Sequence, residues 1–101
     1  MFWILSDGQP VPAPVEEWAR WWQADGAKGP DSERIVAQTT VAEQIVSTVF
    51  LGLDHQLGSG PPLLYETAVY SQADGHWTIL ERYPTREMAQ RGHALHVKHS
   101  R

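Results

Sequence analysis

The side chains best suited to chemistry are two histidines and a carboxylate in the second half of the chain. His55 follows Asp54 in a loop, Glu66 lies in an apolar segment, and His93 lies near the C-terminus. Imidazole and carboxylate groups transfer protons or bind metal ions when a fold brings them together. A small hydrolase or metal-assisted enzyme using His55, Glu66 and His93, with Asp54 as a further candidate, is therefore one alternative function.

Glu66 also has a structural interpretation. It lies on the same side of its predicted strand as Leu64 and Ala68. A carboxylate buried on that side needs a partner, and Arg82 or a histidine is the candidate. Asp54 and His55 are adjacent and usually point in different directions, so they do not form an acid–base pair by themselves.

The C-terminal histidines are a weak metal signal. His93, His96 and His99 recur at helical spacing, but Arg91 and Lys98 lie among them and oppose a dication. We therefore predict no metal site and no cofactor. The glycine-rich segment 58–60 is followed by two prolines, which is incompatible with a phosphate-binding loop.

Length and composition set wider limits. The 101 residues, 42% of them hydrophobic, predict a single domain over residues 1–101. The absence of cysteine excludes disulfides, thiolate nucleophiles and zinc fingers. No signal peptide or membrane span is visible, so we expect a cytoplasmic protein without a membrane partner.

The elements that must position these residues follow from hydrophobic periodicity. Residues 2–5 predict a short strand, and three prolines after Asp7-Gly8 predict a turn and an extended connection. A helix is predicted from Pro14 to Ala24, and a second helix begins after Thr85, a good N-cap residue. Between the helices, four strands are predicted at residues 34–41, 45–53, 63–71 and 76–82.

The predicted order is therefore β-α-β-β-β-β-α. We expect an α+β two-layer sandwich in which a mostly antiparallel sheet of four to five strands carries two helices on one face. We also expect Gly92 to let the helix that carries His93 approach the sheet closely.

Charge is unevenly distributed. Residues 1–81 contain 11 acidic and 3 basic residues, whereas residues 82–101 contain 5 basic residues and one acidic residue. The basic end predicts either a helix with cations near its C-terminus or a docking surface for an acidic partner. Nucleic acid is an unlikely partner because the rest of the surface repels a polyanion.

Candidate partner-binding residues come from surplus tryptophan and from the basic end. One small helix cannot easily bury both Trp21 and Trp22, and an exposed tryptophan is a typical anchor for a protein partner or a second subunit. Arg86 and Arg91 are the basic candidates.

The segments STVFLGLDH and PPLLYET, followed by YPTREMAQRGH, resemble in that order a family of small uncharacterised bacterial and bacteriophage proteins. The resemblance spans nearly the whole chain. It implies a compact, cytoplasmic domain encoded by a bacterium or by a phage, and it brings no activity with it. The shared polar positions that it points to are Asp54, His55, Glu66, Thr67 and His93.

These observations favour binding over catalysis. The leading hypothesis is a small phage or bacterial accessory protein that binds a protein partner, whose identity is unknown, or forms a homodimer. Such a protein could modulate or inhibit a host system, with its acidic body competing for a basic surface. A small-ligand binder that uses the tryptophans and the glycine-rich loop is a further alternative.

Overall fold

The computed structural model describes residues 1–54 and 58–100, which contain two helices and six strands. The strands are β1 (Phe2–Ser6), β2 (Gln9–Ala13), β3 (Ile35–Val41), β4 (Gln44–Phe50), β5 (Tyr65–Ser71) and β6 (His76–Tyr83). The helices are α1 (Val15–Gly26) and α2 (Arg86–His99), and a 3₁₀ turn covers Gly29–Asp31. Within the described residues, neither helix is long and apolar enough to cross a membrane.

A β-hairpin opens the chain. β1 and β2 pair antiparallel across Asp7 and Gly8, which both have positive φ angles, of 50° and 79°. Two consecutive residues of positive φ form the tight turn that matches the twist of a hairpin. The predicted extended connection is thus a second strand. Pro10 and Pro12 occupy alternate positions of β2, so both can face its unpaired edge, where a missing N–H costs no ladder bond.

The remaining strands form one antiparallel sheet in the order β3-β4-β5-β6. Each strand pairs with its neighbour in sequence, which is the most common arrangement of consecutive strands. The α+β fold class is confirmed. The first two strands form a separate sheet instead of extending this one, and residue Phe2 bridges to Leu53 just beyond the end of β4.

Helix α2 packs across all four strands of this sheet, on the face that we call the helix face. Helix α1 packs against β1, and the Trp21 ring meets the Phe50 ring edge-on at 5.9 Å. Phe50 and Thr48 lie two residues apart on β4 and therefore share the helix face. Both helices thus contact the same side of the sheet.

The main apolar core lies where the hairpin, the sheet and the start of α2 meet. Its fully buried members are Leu5, Phe50, Leu64, Tyr65, Tyr83 and Ala89. Trp3, Trp21 and Val36 pack around this cluster and are partly buried. Helix α2 buries residues along its length, at Ala89, Gly92, His93 and Val97.

Candidate functional site

Glu66 is held in an ion pair. Its Oε2 accepts a hydrogen bond from Arg82 Nε at 3.1 Å, because the two residues face each other across the β5–β6 ladder. This confirms the structural pairing predicted for Glu66. The side chain lies with Ala68 on the side of the sheet opposite the helices, which we call the outer face.

His93 lies on the other side of the sheet and uses both ring nitrogens. Its Nδ1 lies 2.8 Å from Thr48 Oγ1, and its Nε2 lies 2.9 Å from Thr39 Oγ1. The side chain is buried beneath α2. Burial lowers the pKa of His93 below its usual 6.5, and the nearby His96 lowers it further. The ring is consequently neutral at physiological pH.

The hydrogen bonds of His93 continue across the sheet. Thr48 Oγ1 lies 2.6 Å from Thr67 Oγ1, which accepts a hydrogen bond from the Tyr83 hydroxyl at 3.1 Å. Each polar atom of this buried network therefore has a partner, as a low-dielectric interior requires. His93 and Thr67 were candidates in the sequence, but the linked hydroxyls of Thr48 and Tyr83 were not. Threonines at inward positions of neighbouring strands were the signal that could have predicted this network.

Gly92 allows this arrangement. A Cβ atom on Gly92 would overlap the Tyr83 ring and its hydroxyl oxygen. The predicted close approach of α2 to the sheet is therefore present, and Tyr83 of β6 fills the space that a side chain would need.

The structure places two of the proposed catalytic residues, Glu66 and His93, on opposite faces of the sheet. Successive residues of a strand point to opposite faces, so Glu66 lies on the outer face while its neighbour Thr67 joins the network of His93. Asp54 Oδ1 accepts a hydrogen bond from Leu63 N at 3.1 Å. His55 lies outside the described residues. Over residues 1–54 and 58–100, no group of three potential ligands could hold a metal ion.

Trp21 and Trp22 are half-buried and belong to the packing of α1. The Trp21 ring contacts Phe50, and the Trp22 ring stacks beside Trp18 at 5.1 Å. The Arg34 guanidinium lies 3.8 Å from the centre of the Trp22 ring. Neither tryptophan is a strongly exposed anchor.

A buried carboxylate near Trp22 was missed in the sequence. Asp25 ends α1 almost fully buried and accepts hydrogen bonds from Ser32 Oγ, from Glu33 N at 2.7 Å and from Arg34 Nε at 2.9 Å. Burial raises the pKa of the Asp25 carboxyl, but these hydrogen bonds more than offset it, so the pKa lies below 3.8. Asp25 therefore ties the loop after α1 to the start of β3.

The basic residues near the C-terminus do not act as one patch. Arg82 pairs with Glu66, His96 Nε2 lies 3.0 Å from Glu81 Oε1, and His93 is buried. Arg91 is exposed on the solvent side of α2. Arg86 is half-buried at the start of the helix, where its charge acts on Tyr65.

The largest exposed apolar side chains of the sheet lie on β6. Trp77 is 53% exposed and Ile79 is 54% exposed. Both line a shallow groove of about 450 Å³ on the outer face, together with Val49 and Ala68. The Trp77 ring also packs against Tyr70 with a centroid distance of 5.2 Å. The described helices both pack on the opposite side, so this face is uncovered.

No protein-family model, curated protein or solved structure matches the chain.

Proposed function

We propose that this protein is a protein-binding module, that its binding surface is the outer face of the four-stranded sheet, and that its partner there is a second copy of the chain. The observation that carries this proposal is the uncovered groove flanked by Trp77 and Ile79. Exposed aromatic and aliphatic side chains grouped on a flat surface are typical of protein interfaces. Trp77 supplies an exposed tryptophan on this face, whereas the sequence analysis expected one at Trp21 or Trp22.

The charges of the outer face suit contact between identical copies. Glu66 and Arg82 neutralise each other at one end of the groove. The pair leaves the groove without a net charge, so close contact there adds no local repulsion to that between two chains of net charge −4. A two-fold contact brings the same patch from both copies together, so a surface with both signs and an apolar centre is suitable.

The area of the face indicates a reversible dimer. Four strands spaced about 4.8 Å apart and about seven residues long give a footprint of about 400 Å² per copy. Two copies packed face to face, about 10 Å apart, would bury about 800 Å² in total. This area is below that of stable complexes and in the range of transient ones. We therefore expect dissociation in the micromolar to millimolar range.

The test is sedimentation equilibrium of the wild-type chain over a wide concentration range. We expect the mean mass to rise from that of an 11.4 kDa monomer toward twice that value as concentration increases. Ile79→Lys places a charge in the groove and should weaken association at least tenfold. Leu95→Lys is the matched control, because Leu95 is 55% exposed but lies on α2.

Two results would overturn the proposal. A wild-type chain that stays monomeric at about 1 mM has no self-association of the expected strength. A dimer weakened equally by both substitutions, or by neither, places the contact elsewhere. Circular dichroism of each variant shows whether the fold is retained, since both substitutions are made at exposed positions.

A further inference from the structure

A second surface feature lies at the start of α2, on the helix face. A cleft of about 420 Å³ is formed by the turn between β1 and β2, by Pro84 and by the first residues of α2. Tyr65 and Arg86 line it. Its size suits a small organic molecule.

The Tyr65 hydroxyl is a buried donor without a partner. Tyr65 has no exposed surface, and its oxygen makes no hydrogen bond within residues 1–54 and 58–100. A buried hydroxyl of this kind is unfavourable unless something accepts its hydrogen bond. Burial raises the pKa of Tyr65 above 10.0, although the charge of Arg86 lowers it in part. The hydroxyl is therefore a donor at neutral pH.

Two further kinds of donor face the cleft. The Arg86 guanidinium forms no ion pair in the described part of the chain, although its charge is close enough to act on Tyr65. The Met88 N–H at the helix start donates a hydrogen bond to the Thr85 hydroxyl at 3.2 Å. The Arg86 and Glu87 N–H groups precede it in the first turn and have no acceptor within the helix.

We propose that this cleft binds the carboxylate group of a small organic acid. The guanidinium of Arg86 would pair with the anion, and the helix N-terminus would favour its negative charge. The Tyr65 hydroxyl has no exposed surface, so a small shift of the cleft wall would let it donate to one carboxylate oxygen. The prolines that line the cleft, Pro10 and Pro84, would contact the apolar part of the ligand. This site is independent of the proposed dimer surface on the outer face.

A carboxylate fits better than a phosphate because of Glu87. Glu87 also lines the cleft, and the chain carries a net charge of −4. Each added negative charge on the ligand meets this repulsion, so a monoanion is favoured over a phosphate dianion.

The test is a titration of the wild-type chain with benzoate, followed by ¹H–¹⁵N chemical shifts. We expect saturable shifts at residues 8, 9, 65 and 85–87, with an affinity in about the millimolar range because the ligand is small. Benzamide has the same shape without the charge and should bind at least tenfold more weakly. Inorganic phosphate should also bind more weakly than benzoate.

Three variants locate the site. Tyr65→Phe removes only the hydroxyl oxygen and should weaken benzoate binding about fivefold to tenfold. Arg86→Gln should weaken it more than tenfold. Arg91→Gln makes the same charge change at an exposed position of the same helix and should change the affinity less than twofold.

The spectra of the free variants show whether they are folded. Absence of saturable shifts in the folded wild-type protein would overturn the proposal, as would equal binding of benzamide or equal effects of Arg86→Gln and Arg91→Gln. Tighter binding of phosphate than of benzoate would overturn the assignment to a carboxylate.

Discussion

Replacement of Gly92 by alanine tests how closely α2 is packed on the sheet. The added Cβ would overlap the Tyr83 ring, which is buried and hydrogen-bonded to Thr67 at 3.1 Å. The ring or the helix must move by about 1 Å to restore ordinary contact distances. That movement would break the bond to Thr67 and disturb the network that holds His93.

The expected change in the free energy of unfolding combines two destabilising contributions with one stabilising contribution. Overpacking of a filled core costs about 1–3 kcal/mol, and a lost buried hydrogen bond costs about 1–3 kcal/mol. Alanine gains about 1 kcal/mol over glycine in helix propensity. Gly92→Ala should therefore lower the free energy of unfolding by about 3 kcal/mol, which corresponds to a fall in Tm of about 12–24 °C for a chain of this size.

Urea denaturation followed by tryptophan fluorescence measures this change. Ala94→Gly, at an exposed position of the same helix, measures the propensity contribution separately and should cost about 1 kcal/mol. In a Tyr83→Leu background, which removes the ring, Gly92→Ala should cost much less. A fall of less than about 1 kcal/mol in the free energy of unfolding for Gly92→Ala would contradict an overlap with the Tyr83 ring. The same fall in both backgrounds would also contradict it.

Two further predictions concern buried titratable side chains, those of His93 and Asp25. The pKa of His93 is lowered in the folded chain, so the unfolded chain binds the proton first as pH falls. The free energy of unfolding should therefore fall by up to about 1.4 kcal/mol per pH unit as pH drops below 6.5 toward the folded value. Urea denaturation at pH 7 and pH 5.5 should show this loss in the wild type and in the exposed control His99→Gln, but not in His93→Gln. Asp25→Asn should lower the free energy of unfolding by about 2–4 kcal/mol at pH 7, because the partners of the carboxylate remain buried. The exposed control Asp31→Asn should change it by less than about 0.5 kcal/mol. Equal losses of stability for the two variants in thermal denaturation would contradict this prediction. Because the pKa of Asp25 lies below 3.8, its contribution should be present above that pH and be lost as pH falls through the folded value.

Most of the fold was predictable from local patterns. Alternation of apolar and polar residues located β3, β5 and β6, and Thr85 marked the start of α2, where its side chain accepts from Met88 N. Apolar residues recur every two residues in strands and every three to four in helices, because these spacings place them on the buried side of the element. This periodicity can be seen in a single sequence. Strand β2 was missed because its prolines are typical of a connection, and only pairing with β1 makes it a strand.

The candidate sites were predictable only in part. The Glu66–Arg82 pair was foreseen because a carboxylate in an apolar strand needs a partner. The burial of Asp25 was missed because its partners come from a loop that has no periodic pattern. Trp77 was not singled out in the sequence, since residue type alone does not show which face of a strand is covered.

The sequence by itself determined the element types, the antiparallel order of the large sheet and the need for a small residue at position 92. Contacts between elements place Glu66 and His93 on opposite faces of the sheet. Within residues 1–54 and 58–100, they also leave the Tyr65 hydroxyl without a partner and the outer face uncovered. The physical reason is that periodicity reports the side on which a residue lies within its own element. Which elements cover that side depends on contacts between residues far apart in the chain.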